Sequence, residues 1–279
     1  RIIILTREKD QQPANPNTRY AQWDVERQTI DVDAIRDADH IIHLAGAGVA
    51  DKRWTDKRKK EIVDSRVKSG ELLVKAMQQY PNKIKTIVSA SAIGWYGPDD
   101  VVPNLHPFTE YAPAHDDFLG QTCAQWEAAL EPVTVMGKRL VKLRTGIVLS
   151  RRGGALAEFK RPLKFGVATI LGNGKQVMSW IHIDDLVEMY ILTITNEQMR
   201  GPYNAVAPNP VTNKQLVKTL AKSRKRFYIP IYVPSFVLKL VLEEMSIEVL
   251  KSATVSSGKM QKVGFVFQYP TIESALKHL

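Results

Sequence analysis

Short apolar runs alternate with longer stretches of helical spacing over the first two thirds of the chain. The runs are rich in β-branched residues, which favours strands over Ile2–Leu5, His40–Leu44, Lys85–Ser91, Leu140–Leu143 and Val177–Ile181. Between them, Glu61–Met77 and Gln121–Leu130 carry apolar residues at helical spacing, the second ending before Pro132. Strands that alternate with such helices predict βαβ units and a mostly parallel sheet.

The last third has a different pattern, with helices separated by proline-containing loops. Thr212 is placed to cap a helix over 214–222, and two more helices are predicted within 233–245 and 270–279. Asp184 or Asp185 is predicted to cap a helix over 186–194. We predict two units: a sheet domain from 1–150 with 176–206, and a smaller, mainly helical lobe from 151–175 with 207–279 that covers the mouth of the sheet.

Charge and composition narrow the classes of partner. The 279 residues carry 39 Lys and Arg against 29 Asp and Glu, a formal charge of +10, which favours anionic partners. No aromatic-basic motif supports nucleic-acid binding, and no apolar run approaches the roughly 18 residues that span a membrane. The chain has one cysteine, Cys123, so it cannot form an internal disulfide. This favours a location in the reducing cytoplasm. No His, Cys or Asp grouping has metal-binding spacing, so no metal is expected.

Gly46 and Gly48 begin a G-x-G pattern directly after a predicted strand. The full dinucleotide pattern G-x-G-x-x-G would need glycine where Asp51 stands, so this is not a pyrophosphate loop. The small residues Ala45 and Gly46 would instead let a cofactor lie against the backbone. A tight turn from strand to loop is the alternative.

Five ordered motifs, "HLAGAGVADKRW", "IVSASAIGWYG", "RTGIVLS", "GNGKQVMSWIHIDDL" and "YNAVAPNPVTN", resemble the extended short-chain dehydrogenase/reductase superfamily. They are most similar to its atypical YfcH-type branch of nucleoside-diphosphate-sugar epimerases or NADP-dependent oxidoreductases. The resemblance implies an α/β fold with a Rossmann-type doubly wound parallel sheet. It places "RIIILTR" as the second strand, so we expect the first strand and its glycine loop to precede Arg1.

The resemblance also implies a cofactor site for NADP(H). Thr6 and Arg7 end the second strand, where a guanidinium pairs with a 2′-phosphate, although Glu8 leaves NAD open. Related proteins hold the cofactor at the positions of Leu44, Ala45 and Gly46, and near those of Glu61 and Arg66. Arg66 also lies on the apolar face of its predicted helix, where a structural salt bridge is the rival explanation.

Members of the superfamily usually work through a serine and a Tyr-x-x-x-Lys helix. Ser91 matches the serine, but none of the nine tyrosines is followed four residues later by lysine. At the helix where the resemblance places this pair, Phe118 or Leu119 stands at the tyrosine position. Thr122 or Cys123 stands four residues later, at the lysine position. Tyr96 is the first candidate for the proton donor, and the others are Asp116 and Asp117.

We therefore expect an NADP(H)-binding oxidoreductase or epimerase that acts on a nucleotide-sugar-like substrate without the usual Tyr-x-x-x-Lys pair. The alternative is a non-catalytic NADP(H)-binding sensor or partner protein. A homodimer is left open.

Overall fold

The computed structural model describes residues 1–8, 15–224 and 227–279. Its strands are β1 (Ile2–Thr6), β2 (Thr18–Asp24), β3 (Thr29–Ile30), β4 (His40–His43), β5 (Thr86–Ala92), β6 (Arg139–Thr145), β7 (Ile147–Leu149), β8 (Val167–Leu171), β9 (Val177–Met178), β10 (Trp180–His182), β11 (Gly201–Ala205), β12 (Val211–Thr212) and β13 (Ile229–Val233). Its helices are α1 (Val32–Asp37), α2 (Asp56–Gln79), α3 (Phe118–Ala128), α4 (Pro132–Val135), α5 (Ala155–Leu163), α6 (Ile183–Thr195), α7 (Asn213–Ser223), α8 (Ser235–Leu242), α9 (Ser246–Leu250), α10 (Gly258–Lys262) and α11 (Ile272–His278). Two 3₁₀ turns lie at Ile93–Trp95 and Glu243–Met245.

The main sheet is parallel and has helices on both faces. It has the strand order β11-β6-β5-β4, and a separate three-stranded sheet has the order β1-β2-β3, in which β1 and β2 are parallel. Leu5 of β1 and Ile41 of β4 pack on the same hydrophobic cluster as Leu73 of α2. On the other face, Val141 of β6 packs with Met189 of α6. This arrangement confirms the predicted Rossmann-type α/β fold.

Two edge strands expose apolar side chains: β1 in the three-stranded sheet and β4 in the main sheet. Within residues 1–8, 15–224 and 227–279, β1 pairs only with β2, and β4 pairs only with β5. Ile2 and Ile4 on β1, Ile42 on β4 and Leu44 just beyond it are exposed large hydrophobic residues. The expectation of a further strand and glycine loop before Arg1 stays a prediction.

The helix α2 follows the predicted pattern and extends it. Thr55 caps it, because its side chain accepts a hydrogen bond from the backbone N–H of Arg58. The face predicted from the sequence, with Ile62, Leu73 and Met77, is buried against the sheet. The side chain of Arg66 is buried on that face as well, which places a cation inside an otherwise apolar contact.

The turn before α6 differs from the prediction. The helix cap is His182, whose Nδ1 accepts the backbone N–H of Asp184 at 3.1 Å, so neither Asp184 nor Asp185 is the cap. Asp185 is buried and accepts the backbone N–H groups of Gln268 and Tyr269 instead. The single strand predicted over 177–181 is also wrong, because β9 and β10 pair with different strands on either side of Ser179.

The C-terminal lobe is mainly helical, as predicted, and also contains a parallel pair of strands, β8 and β13. Its core joins α5, α7 and α11 around Trp180, which is fully buried. The region predicted as one helix within 233–245 is α8 followed by a 3₁₀ turn. Met260 of α10 belongs instead to the core under α6. The domain boundaries set from the sequence stay a prediction.

A buried histidine ties β4 to its neighbours. Nε2 of His43 lies 2.8 Å from Oγ of Ser69 on α2, and its Nδ1 lies 3.2 Å from Oγ of Ser89 on β5. Burial, assisted by the positive charge of Arg66, lowers the pKa of His43 to about 4 from its ordinary 6.5. The folded protein therefore holds this imidazole neutral at neutral pH.

His43 should make the protein sensitive to acid. Between pH 6.5 and 4 the unfolded chain binds a proton that the folded protein excludes, so the stability held at pH 7 falls by on the order of 3 kcal/mol. His43→Gln keeps hydrogen-bonding capacity but does not titrate. Urea unfolding at pH 7 and pH 4 measures the fall in the free energy of unfolding between the two. We expect this fall to be smaller in His43→Gln than in the wild type by about this amount. Equal losses in both proteins would contradict the assignment.

Candidate functional site

The loop after β4 is held onto α2 by side chains of that helix. The backbone N–H of Ala47 donates to Oγ of Ser65 at 2.9 Å, and its carbonyl accepts from Nη1 of Arg66 at 3.0 Å. Arg58 donates to the carbonyl oxygen of Gly48. The carbonyl groups of Ala47 and Gly48 are therefore turned towards α2, where each accepts from an arginine of that helix.

Arg66 is a buried cation whose partners are neutral. Besides Ala47, its guanidinium donates to the carbonyl oxygen of Ile62 at 2.9 Å and lies 4.9 Å from the ring centroid of Trp126. Across the described ranges it makes no ion pair with a carboxylate, so the structural salt bridge is not what holds it. Burial lowers its pKa from the ordinary value. A desolvated guanidinium in this state is a favourable place for an anion.

Gly46 is the point at which this charge comes nearest to the exposed backbone. A Cβ built on Gly46 would lie 3.0 Å from Cζ of Arg66, tighter than most real Cβ contacts. Gly46 and Leu44 are exposed, and Ala45 is half-buried. A ligand lying on this backbone would therefore be separated from the guanidinium by one residue without a side chain.

The other predicted cofactor residues divide into two groups. Thr6 is the last residue of β1, and Arg7 follows it with an exposed side chain, as expected at the carboxyl end of a strand. Glu61 is also exposed, but its carboxylate lies 2.8 Å from Nη1 of Arg58. That ion pair belongs to the surface of α2, so the structure does not bring Glu61 to Arg66.

Ser91 lies at the end of β5 but is turned into the protein. It is 2 % exposed, and its hydroxyl donates to Oε1 of Glu127 at 2.8 Å. The hydroxyl proton is therefore already used by a carboxylate. This geometry disagrees with the predicted role of Ser91 in polarising a substrate oxygen.

Glu127 is the centre of a buried polar network that the sequence did not reveal. Its carboxylate also accepts from Nε and Nη2 of Arg144, at 2.8 and 3.1 Å, and lies 3.4 Å from Nζ of Lys142. The Arg144 guanidinium stacks 3.6 Å from the ring centroid of Trp95. Glu127 joins α3 to β5 and β6, and its function is to hold these elements together.

Tyr96 belongs to the same network. It is fully buried, its hydroxyl donates to Oδ1 of Asn204 at 2.6 Å, and it accepts from Nη1 of Arg144 at 3.1 Å. Burial raises the pKa of Tyr96 to about 12. A phenol that is enclosed, twice hydrogen-bonded and hard to ionise disagrees with the predicted role of Tyr96 as proton donor.

The helix α3 contains the residues that the family resemblance places at the Tyr-x-x-x-Lys positions. Leu119 and Cys123 both face Gly94 in the turn after β5, at 3.2 and 3.7 Å from a Cβ built there. Cys123 is buried, and burial raises the pKa of its thiol to about 12. Leu119 and Cys123 therefore pack against the turn after β5, and the correspondence of Phe118 or Leu119 to the usual tyrosine stays a prediction.

The fold and the loop over Arg66 define a protein of the dinucleotide-binding Rossmann class. Residues 1–205 match the NAD dependent epimerase/dehydratase family, and residues 233–279 match DUF1731, a domain of unknown function. The chain belongs to the NAD dependent epimerase/dehydratase family. The resemblance to an atypical extended short-chain dehydrogenase/reductase is confirmed, and with it the nicotinamide dinucleotide as the class of cofactor.

Relatives and solved structures agree with this assignment. An epimerase family protein of Staphylococcus haemolyticus is 37% identical over 279 residues, which are 100% of this chain and 90% of the relative. The crystal structure of the human epimerase family protein SDR39U1 with NADPH is similar over 98% of this chain and 88% of that chain, with 26% identity and a TM-score of 0.83. A nucleoside-diphosphate sugar epimerase from Corynebacterium glutamicum is 32% identical, with a TM-score of 0.76, over 99% of this chain and 52% of that chain.

None of the helices within the described ranges is both long and apolar enough to cross a membrane. In the same part of the chain, His, Cys, Asp and Glu side chains form no group of three or more that could hold a metal ion.

Removing the charge of Glu127 should be strongly destabilising. Glu127→Gln leaves Arg144 and Lys142 buried without their shared carboxylate. We therefore expect the free energy of unfolding to fall by about 3–5 kcal/mol. The matched control is Glu131→Gln, because Glu131 pairs with Lys142 but is 52% exposed. Denaturant unfolding should show that the control loses less than about 1 kcal/mol of its free energy of unfolding. Equal effects of the two variants would show that Glu127 is not the centre of the network.

Proposed function

We propose that this protein binds NADP(H) and acts as an oxidoreductase or epimerase on a nucleotide-sugar-like substrate, without the Tyr-x-x-x-Lys pair. The observation that carries the proposal is the buried guanidinium of Arg66 beneath the exposed backbone of Gly46. A diphosphate lying on Leu44, Ala45 and Gly46 would provide the anion that Arg66 lacks. The NADPH-containing structure of the human relative supports this choice of cofactor.

The preference for NADP(H) over NAD(H) rests on the end of β1. Thr6 is the last paired residue of that strand and Arg7 follows it, where a hydroxyl and a guanidinium suit a 2′-phosphate. A phosphate dianion binds an arginine side chain more strongly than a ribose hydroxyl does. Arg7 is exposed and therefore accessible to such a ligand. We propose no cofactor contact for Glu61.

Bound NADP(H) would supply or accept a hydride. The chain itself would provide the wall against which the cofactor lies and the cation beneath it. It would also have to move one proton on the substrate oxygen for each hydride transferred. Because Ser91 and Tyr96 are buried in the Glu127 network, that proton requires another group.

The substrate class is supported by charge and by one relative. The formal charge of +10 favours a phosphorylated ligand. The similar protein from Corynebacterium glutamicum is described as a nucleoside-diphosphate sugar epimerase. The C-terminal lobe would cover such a substrate at the mouth of the sheet. We also propose a cytoplasmic location, because the only cysteine, Cys123, is a free and buried thiol.

A non-catalytic sensor of NADP(H) is the second candidate. It is favoured by one observation: both predicted catalytic hydroxyls, Ser91 and Tyr96, are buried and hydrogen-bonded. A sensor needs the cofactor groove but no proton donor. The two functions therefore share the binding prediction and differ in the chemistry.

Binding and hydride transfer should be measured on the same preparation. We expect NADPH to bind more tightly than NADH, and Arg7→Ala to reduce that preference about tenfold by removing a charged hydrogen bond to phosphate. Transfer of deuteride from stereospecifically labelled NADPH to keto compounds and nucleotide-sugar derivatives, followed by mass spectrometry, tests catalysis. We expect transfer from one face of the nicotinamide only. The exposed Arg27→Ala is the matched control for Arg7.

Each outcome decides between the candidates. Transfer to any member of the panel establishes the enzyme. Tight NADPH binding with no transfer across the panel establishes the sensor. Equal affinity for NADPH and NADH, unchanged in Arg7→Ala, contradicts the role of Arg7.

A further inference from the structure

A histidine, two carboxylates and a lysine meet where the C-terminal lobe approaches α3. Nδ1 of His115 lies 2.9 Å from Oδ2 of Asp117, and that oxygen lies 3.4 Å from Nζ of Lys251. The same ammonium group lies 3.0 Å from Oε1 of Glu248. Lys251 is almost completely buried, whereas the His115 side chain is 44% exposed. His115 is thus the most exposed member of the cluster.

The backbone around His115 packs it against the turn after β5 and the start of α3. Its N–H donates to the carbonyl oxygen of Trp95 at 2.8 Å, in the turn that follows β5. A Cβ on Gly97 would lie 2.5 Å from Cδ2 of His115, and a Cβ on Gly120 would lie 2.1 Å from its carbonyl oxygen. Two glycines therefore let His115 pack closely against the turn and the first turn of α3.

Asp117 fixes the imidazole in one orientation. Its Oδ1 accepts the backbone N–H of Gly120 at 2.7 Å and so caps α3, while its Oδ2 faces His115. Although burial opposes it, the hydrogen bonds from Gly120 and His115 hold the pKa of Asp117 below its usual value. An ionised carboxylate at Nδ1 favours the tautomer that carries its proton there, which leaves Nε2 as an acceptor. In the described part of the chain no hydrogen bond involves Nε2 of His115.

We infer that His115 is the acid–base catalytic residue of this protein, with Asp117 as its positioning residue. The inference rests on the proposed function. In the oxidative direction the substrate O–H proton moves to Nε2 of His115. The C–H hydride moves to NADP+, and the carbon–oxygen bond becomes a carbonyl. In the reductive direction the protonated imidazole of His115 would return the proton to the substrate oxygen while the carbonyl carbon accepts a hydride, which bound NADPH would supply.

The neighbouring groups are less suited to this role. Lys251 is held between two carboxylates, and Glu248 is buried, which raises the pKa of its carboxyl group. Asp116 is exposed and accepts from Nε2 of Gln121. His115 alone in this cluster combines exposure with a carboxylate partner.

The first test is kinetic and uses His115→Gln with His106→Gln as the matched control, because His106 is also an exposed histidine. We expect His115→Gln to lower kcat for deuteride transfer by about 100-fold or more. The Kd for NADPH and the Tm should stay close to those of the wild type. Asp117→Asn keeps the helix cap but not the charge, so it should lower kcat while leaving that Kd unchanged. His106→Gln should leave all three values unchanged.

The second test needs no turnover. Diethyl pyrocarbonate labels exposed imidazole nitrogens, and mass spectrometry reports each histidine separately. With NADPH and UDP-glucose as the probes, labelling of His115 should fall at least fivefold, while labelling of His106 stays constant. This footprint reads contact at His115 independently of the reaction.

The two tests separate the inference from the function on which it rests. If the wild type transfers deuteride and His115→Gln retains more than a third of kcat, the inference is overturned and the proposed function stands. If the wild type transfers none, the proposed function fails, and His115 is judged by the footprint alone. Loss of labelling then supports a ligand contact at Nε2, and unchanged labelling overturns it.

Discussion

A buried positive charge without a carboxylate partner is the constraint on which this site depends. The guanidinium of Arg66 is enclosed between α2, the ring of Trp126 and the loop after β4. Neutral carbonyl oxygens compensate only part of the cost of removing such a charge from water. A Cβ on Gly46 would lie 3.0 Å from its Cζ, so the guanidinium lies close to an exposed backbone position that has no side chain. The fold thus keeps a cation in a place where a phosphate can complete its coordination.

The remaining contacts arrange the lobe around this site. Arg53 pairs with Glu243 at 2.9 Å, and Lys59 pairs with Glu244, so the segment after α8 is tied to the start of α2. The contact between Lys251 and Asp117 ties the same part of the lobe to the start of α3. Both helices begin beside the loops that follow β4 and β5. Polar contacts therefore bring residues of the lobe to the place where cofactor and substrate would meet.

Local patterns predicted the elements of the sheet domain but not its buried polar network. The spacing of apolar residues identified β4, β5 and α2, and the position of Arg66 on an apolar face marked it as unusual. Glu127 gave no such signal, because its partner Arg144 is 17 residues away and only the pairing of α3 with β6 brings them together. The burial of Tyr96 gave no sequence signal for a related reason: the 3₁₀ turn after β5 places it in the core. Strand β13 was missed because it contains Pro230, which weakens the strand pattern, and its partner β8 was missed with it.

The most direct measurement of the central claim is the rise in Tm that saturating NADPH produces in wild type and in Arg66→Met. If Arg66 binds a phosphate of the cofactor, Arg66→Met should leave the Tm of the free protein unchanged or higher, because it removes a desolvated charge. The NADPH-dependent rise in Tm should then shrink, because the Kd for NADPH increases about tenfold or more. If Arg66 only holds the loop, Arg66→Met lowers the Tm of the free protein and leaves the rise intact. That second result would contradict the account.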